Sequence, residues 1–338
     1  SINLAKFYHE EHNDVDWAEL EKVVKTSVHF LDNVIDANQY ATPEIEKMTK
    51  STRKIGLGVM GFADLLIQLR IKYNSIEGRE LGKSIMAFVR DKADAQSIKL
   101  AKERGTFPAW DKSDYGEDEK YRNACRLTVA PTGTISMLAD TSSGIEPTFA
   151  LAWKKANILE GQTLYYVNKY FEADAKKHNF YSEDLMEHLS QGGSLESRED
   201  VPPWAKDIYV TAPEISAEDH VGMQAVFQED CDSGISKTIN FPNEASIADV
   251  ESAYLSAWRL GCKGITVYRA GSREKEVLVK GTDEKENTKD QMTLDIDVTE
   301  KSETGISTEY DCCDNAIVVM ESGCETCKTC GWSMCHVA

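Results

Sequence analysis

Two groups of residues in this sequence have the types and spacing that chemistry requires. The first is the run Cys312-Cys313, then Cys324-Glu325-Thr326-Cys327, then Cys330-Gly331-Trp332-Ser333-Met334-Cys335. Tetrahedral zinc takes four thiolates, and Cys312, Cys313, Cys324 and Cys327 are the candidate set, although adjacent Cys312-Cys313 makes an irregular first pair. Cys330 and Cys335 have four residues between them near the last residue. That placement suits reversible thiol–disulfide exchange, where access and mobility matter. Ligation of metal by all of these cysteines stays open beside that division. The second group is the turn Ala130-Pro131-Thr132-Gly133-Thr134-Ile135-Ser136. An extended stretch over 124–130 feeds a Pro/Gly bend rich in hydroxyls, and an apolar segment follows. Free backbone N–H groups and hydroxyls aimed at one point are what a phosphate needs. A plain helix N-cap rich in Ser and Thr has the same look, so the segment alone supports both readings.

Other motifs have bland explanations. Gly56-Leu57-Gly58-Val59-Met60-Gly61 fits GxGxxG, but Lys50-Ser51-Thr52-Arg53-Lys54 before it is no buried strand. Glycines that let a helix pack closely are expected there, in place of a dinucleotide site. His220 reads as a capping or surface histidine at the front of a helix, and the remaining histidines show no ligand spacing. Tyr165-Tyr166 reads as core or groove packing.

The elements that must position these groups follow from periodicity. Trp17, Leu20, Val24, Val28, Leu31 and Ile35 recur at helical spacing, so a helix is expected over 15–37 with Asp14 or Asp16 as cap. A longer helix is expected over 76–103, capped by Ser75 and closed by Gly105. A third is expected over 246–260, leading into a strand at 264–268. Strands alternating with such helices indicate an α/β architecture. After Arg273 the composition turns to Glu, Asp, Lys and Thr with few aromatics, which reads as a flexible linker over 274–311. A flexible coil of that length typically spans about 30–35 Å, a reach that suits a travelling tail. The expected division is therefore 1–273, 274–311 and a cysteine-rich tail over 312–338.

Composition narrows the partners. A net charge of −19 opposes general affinity for nucleic-acid phosphates, which a broad basic surface would be needed to drive. No apolar run approaches the ~20 residues of a membrane span. Ser1-Ile2-Asn3-Leu4-Ala5-Lys6-Phe7 shows no signal-peptide pattern. A cytoplasmic protein without membrane or nucleic-acid contact is expected. In that setting clustered cysteines point to metal or redox chemistry more than to a disulfide scaffold.

Several segments, in order, resemble the catalytic subunit of cobalamin-type (class II) ribonucleotide reductases. They are residues 1–7, Arg53-Lys54-Ile55-Gly56-Leu57-Gly58-Val59-Met60-Gly61-Phe62-Ala63-Asp64-Leu65-Leu66, Arg126-Leu127-Thr128-Val129 with the turn after it, and Ser142-Ser143-Gly144-Ile145-Glu146-Pro147. Ser236-Lys237-Thr238-Ile239-Asn240 and Gly261-Cys262-Lys263-Gly264-Ile265-Thr266-Val267-Tyr268-Arg269 continue the match, and the cysteine-rich end matches the family's tail. The resemblance implies the second half of a ten-stranded α/β barrel, followed by a linker and a small cysteine-rich tail. It implies reduction of ribonucleotides to 2′-deoxyribonucleotides with adenosylcobalamin, in company with the N-terminal half of the same reductase. Pro131, Thr132, Gly133, Thr134 and Ile135 match the turn that binds substrate phosphate. Cys330 and Cys335 match the terminal pair that re-reduces the active-site disulfide and is itself reduced by thioredoxin-type proteins. A homodimer is within the family's range.

Tyrosyl-radical (class I) reductases are also similar, but they carry adjacent tyrosines where this chain has Val267-Tyr268. A hopping relay needs both phenols, so the cobalamin type is favoured. The family's radical cysteine, and both cysteines of its active-site disulfide, would lie before Ser1, so the chain alone is expected to be inactive. Ser1 falls where the family reads through, and two explanations stand: a splice or split-gene junction, with serine a competent nucleophile, and a plain truncation. A rival of another class is a zinc-binding interaction module on an α/β scaffold.

Overall fold

Short extended segments and long capped helices alternate in the computed structural model, which describes residues 1–117, 119–158, 162–272, 318–321, 324–327, 329 and 333–335. Strand β1 (Ile2–Asn3) runs into a single 3-10 turn, Leu4–Phe7, where the Asn3 side-chain oxygen Oδ1 accepts from Ala5 N at 3.1 Å. A hairpin of β2 (Tyr8–His9) and β3 (Asp14–Val15) leads to helix α1 (Trp17–Ala37). Asp16 is the cap, accepting from Glu19 N at 2.9 Å, and Leu20, Val24, Val28 and Ile35 form the buried stripe. Helix α2 (Pro43–Thr52), strand β4 (Val59–Met60) and helix α3 (Phe62–Leu69) follow. Helix α4 (Ile76–Arg104) starts at Ser75, whose hydroxyl accepts from Gly78 N at 3.0 Å, and ends at Gly105 as expected.

After the one-and-a-half-turn helix α5 (Gly133–Leu138) come the hairpin of β5 (Ala152–Ile158) and β6 (Gln162–Val167), then helices α6 (Lys169–Lys177), α7 (Glu183–Ser190), α8 (Pro203–Ile208) and α9 (Ala217–Gln228). Strand β7 (Thr238–Phe241), helix α10 (Ile247–Arg259) and strand β8 (Thr266–Arg269) complete the first of two units, Ser1–Glu284. Ser246 and Asp249 cap α10 reciprocally, which is why its start is sharp.

Apart from the two hairpins, the extended segments of this unit pair parallel and in chain order. β1 pairs with β4, and Leu57, just ahead of β4, bridges to Leu127. Val129 bridges onward to Ile235, and β7 pairs with β8. Parallel neighbours need crossover connections, and the intervening helices supply them. The strand expected over 124–130 is reduced to those two isolated bridges. The reason is a long-range contact: the Asp232 carboxylate takes the amides of Arg126 (2.6 Å) and Leu127 (2.9 Å), so they do not enter a ladder.

The GxGxxG glycines also act differently from expectation. They serve strand contact, not helix packing: a Cβ on Gly58 would lie 2.1 Å from the Thr128 carbonyl oxygen. Gly61, at φ +75°, then turns the chain into α3.

Apolar side chains of these segments (Leu57, Val59, Leu127, Val129, Ile235) pack among α1, α3, α4 and Phe227 of α9 in the main core. A second core joins Phe171, Leu185, Met186 and Tyr209. A third joins Ile239 and Phe241 of β7 to Ala253 and Ala257 of α10. The opposite face of α10 is left open, with Ile247 90% and Trp258 75% exposed beside Tyr254 and Leu255. Of the pair Tyr165-Tyr166, the side chain of Tyr165 lies outside the described residues, and Tyr166 is exposed on its hairpin and not in the core, with its ring stacked on Trp153 at 6.1 Å and 5°. Among the described residues no helix is long and apolar enough to cross a membrane.

The second unit, Lys285–Ala338, contains an antiparallel sheet in the order β11 (Ser333–Cys335), β10 (Cys324–Cys327), β9 (Val318–Glu321).

Candidate functional site

Thr132 controls the shape of the Pro131–Ile135 turn. It sits at φ +56°, ψ +17°, a left-handed conformation unfavourable for a β-branched residue. A specific bond holds it there: its buried hydroxyl accepts from Gly144 N at 2.7 Å. The carbonyl of Thr132 in turn accepts from Ser136 N at 2.8 Å, starting α5. Ser136 is buried, with its hydroxyl 2.7 Å from that of Ser143. Pro131, Gly133, Thr134 and Ile135 are exposed. Their position in the first turn of α5 leaves the amides of Gly133, Thr134 and Ile135 without an intrahelical acceptor, and no other backbone acceptor is present among the described residues. The turn therefore offers a run of open N–H groups and the Thr134 hydroxyl. The sequence expectation that all its hydroxyls face a ligand is corrected, since those of Thr132 and Ser136 are bonded inside the fold.

A loop over 141–147 backs the turn and is anchored at both ends. At its start, buried Asp64 accepts from Ser142 N (2.9 Å) and the Thr141 hydroxyl (2.8 Å). Burial raises the Asp64 pKa, and those two hydrogen bonds oppose the rise. In mid-loop the Tyr73 hydroxyl donates to Ile145 O at 2.5 Å. At its end, Glu146 receives Thr238 N and the Lys237 ammonium, each at 2.6 Å.

Lys237 is fully buried, and burial pulls its pKa down against the pull of Glu146. The ammonium also donates to Thr238 O and lies 2.8 Å from His220 Nδ1. An ammonium has no lone pair, so His220 Nδ1 accepts and Nε2–H donates to Ala212 O at 3.1 Å, a tautomer assigned from this network. His220 is completely buried, which corrects the capping or surface expectation: it sits in the first turn of α9, but on the side that meets Lys237. Burial, then the neighbouring ammonium, push its pKa down to about 3, so it is neutral near pH 7.

Sequence reasoning gave no role to Glu146, Lys237 or Asp64, and gave His220 a different one. Glu146 and Lys237 stand in quoted motifs, but only the long-range pairing reveals what they do. Neither of two cavities in the structure, about 690 Å³ near Arg70 and Trp204 and about 570 Å³ near Arg90 and Cys231, is lined by the turn.

In the tail, Cys312, Cys313 and Cys330 lie outside the described residues. Cys327 is buried, and the register sets Cys324 opposite Cys335. The expected division placed those two in different sets, zinc and redox, yet their backbones are neighbours. Val267 pairs with Ile239 and joins the third core, so an aliphatic side chain occupies the position before Tyr268.

A strand array in chain order, with a tight turn and helix start after its third segment, defines an α/β architecture. The family model described as "Ribonucleotide reductase, barrel domain" matches residues 1–268, and the chain belongs to that family. The vitamin B12-dependent ribonucleoside-diphosphate reductase of Thermoplasma acidophilum is 46% identical over 297 residues, 88% of this chain and 38% of the relative. That of Mycobacterium tuberculosis is 42% identical over 278 residues, 82% of this chain and 40% of the relative. The ribonucleoside-diphosphate reductase subunit alpha of Chlamydia pneumoniae is 30% identical, covering 78% of this chain and 28% of its own length. The chain thus spans about two fifths, or less, of these curated relatives. The solved class Id ribonucleotide reductase alpha subunit of Actinobacillus ureae has the same fold over 73% of this chain and 46% of its own, with a TM-score of 0.63 at 24% identity.

Proposed function

We propose that this chain supplies the substrate-phosphate turn of an adenosylcobalamin-dependent ribonucleoside-diphosphate reductase. It would act together with the segment that carries the radical cysteine. The observation that carries the reading is the Thr132 cap, which leaves the Gly133–Ile135 amides open at the surface. Those amides would bind the terminal phosphate, the helix start adds its positive dipole end, and Thr134 donates a further bond. Fixing the phosphate lowers the entropy cost of bringing the ribose to the radical. The parallel array reads as one half of a ten-stranded barrel, completed by the preceding segment. Units 1–273, 274–311 and 312–338 would then be half-barrel, linker and tail.

The cobalamin reading rests on Val267, which removes the second phenol of a tyrosine relay, and on the names of the closer relatives described above. When bound, the corrinoid would supply the radical chemistry of the assembled enzyme. No described residue of this chain forms a cradle assignable to it. The chain's own chemistry is phosphate binding, and thiol exchange through Cys330 and Cys335 with a thioredoxin-type reductant.

The phosphate role is tested in the assembled enzyme. Thr134→Ala removes one hydrogen bond to a charged group, worth about 1.5–3 kcal/mol. KM for the ribonucleoside diphosphate should rise about tenfold or more, with kcat nearly kept; an unchanged KM would reject the turn as the phosphate site. For the tail, Cys330→Ser should abolish multiple turnovers with thioredoxin yet spare a single turnover by pre-reduced enzyme. Equal loss in both assays would count against the shuttle.

A further inference from the structure

We propose that His9, Glu11 and His12, on the hairpin between β2 and β3, form a binding site for one Zn²⁺ ion, with water as the fourth ligand. The sequence reading found no ligand spacing among these histidines, because His9-Glu10-Glu11-His12 matches no helical metal motif. The turn is what brings them together. One ligand atom from each of the three side chains lies within 4.8 Å of the other two. Two imidazoles and a carboxylate are a ligand set that zinc takes where it keeps an open position. Tetrahedral ligands at 2.0–2.1 Å from zinc are about 3.3–3.4 Å apart, so closure asks for movement of up to about 1.5 Å. Glu11 and His12 are exposed and free to make that movement by side-chain rotation.

The His9 and His12 rings stack at 4.4 Å and 18°, which keeps the imidazoles adjacent; nearly parallel rings aim their nitrogens alongside one another, so the exposed His12 ring tilts out of the stack to ligate. One further observation points to a ligand. His9 Nδ1 is shut off from solvent and has no hydrogen-bond partner among the described residues. A buried ring nitrogen in that condition is unsatisfied, and coordination is one way to satisfy it.

The hairpin is also braced so that ordering costs little on binding. Asp16 N donates to Phe7 O at 2.7 Å across its base, with Phe7 and Val15 buried there. The Tyr8 hydroxyl donates to Asn13 Oδ1 at 3.1 Å, and Asn13 N to Glu10 O at 3.3 Å across the bend. Bound zinc would clamp the hairpin that follows β1 and its 3-10 turn. Nothing in the site depends on the phosphate turn.

Co²⁺ is the probe, because thiolate ligation gives near-ultraviolet charge-transfer bands that imidazole and carboxylate ligation do not. The metal-free full chain should bind one equivalent with visible ligand-field absorption and no thiolate band, separately from any cysteine-bound cobalt. Zn²⁺ should displace it and raise Tm. His12→Ala, at an exposed position, should remove that equivalent and the Tm rise; Glu11→Gln should weaken affinity about tenfold. The proposal is overturned if His12→Ala leaves the cobalt spectrum and stoichiometry unchanged. It is equally overturned if every bound equivalent shows the thiolate band, or if binding appears only at millimolar metal.

Discussion

The Pro131–Ile135 turn and the Lys237–Glu146–His220 cluster are bonded to the same loop, yet they treat their polar groups in opposite ways. The turn leaves a run of amides open at the surface, while Gly144 N fixes only the Thr132 hydroxyl behind them. The cluster closes its polar groups inward: the buried ammonium reaches a carboxylate, an imidazole and a carbonyl. An open anion site needs a stiff support, since donors that can relax toward one another would satisfy themselves before a ligand arrives. On the proposed reading, the difference teaches that affinity at the turn would depend on residues that never touch the ligand.

The largest expected effect comes from breaking the support. Glu146→Gln leaves the Lys237 charge buried without its counterion, which should cost about 3 kcal/mol or more in denaturant unfolding. Pairing it with Lys237→Met should recover part of that loss. A cost below about 1 kcal/mol would mean that water reaches the ammonium, and the contrast between the two regions would dissolve.

A second test uses pH. His220 titrates near 3 in the fold and near its ordinary value of 6.5 when unfolded. Between those values the unfolded chain binds a proton that the native chain refuses. Stability should therefore fall as pH drops below 6.5, by up to about 1.4 kcal/mol per pH unit. His220→Gln keeps an acceptor for Lys237 but cannot titrate, so its slope between pH 6 and 4 should be flatter. Parallel slopes in the two proteins would show that the imidazole is not kept neutral.

The smallest effect sharpens the role of Thr132. Thr132→Val keeps the branched side chain in its left-handed conformation but loses the acceptor, at a cost of about 1–2 kcal/mol. Thr132→Gly also loses the acceptor, yet it relieves the backbone, so it should be the more stable of the two by roughly 1 kcal/mol. The reverse order would mean that the conformation is not strained.

What was legible in the sequence was local. Asp16 and Ser75 cap helices a few residues away, so α1 and α4 could be placed from spacing and cap chemistry, while α10 was placed without a named cap and Ser246, expected inside it, is its cap. The turn was visible for the same reason, as Pro and Gly beside hydroxyls. The occupancy of those hydroxyls was not visible, because Gly144 meets Thr132 only after the chain folds back. Lys237 and Glu146 are 91 residues apart, and no periodicity announces such a pair. His220 was misjudged because its polar neighbours Glu218 and Asp219 suggest a surface, whereas its burial is decided by β7 and Lys237. The segment over 124–130 had strand composition, but Asp232, far along the chain, takes the amides that a ladder would have used.

The uncovered side of α10 has a practical outcome for anyone handling the chain by itself. Ile247, Tyr254, Leu255 and Trp258 make a greasy stripe that water wets poorly. In isolation the chain should light up dyes that sense apolar surface, and its sedimentation should become heavier with concentration. Whatever shields that stripe should quench both signals at once.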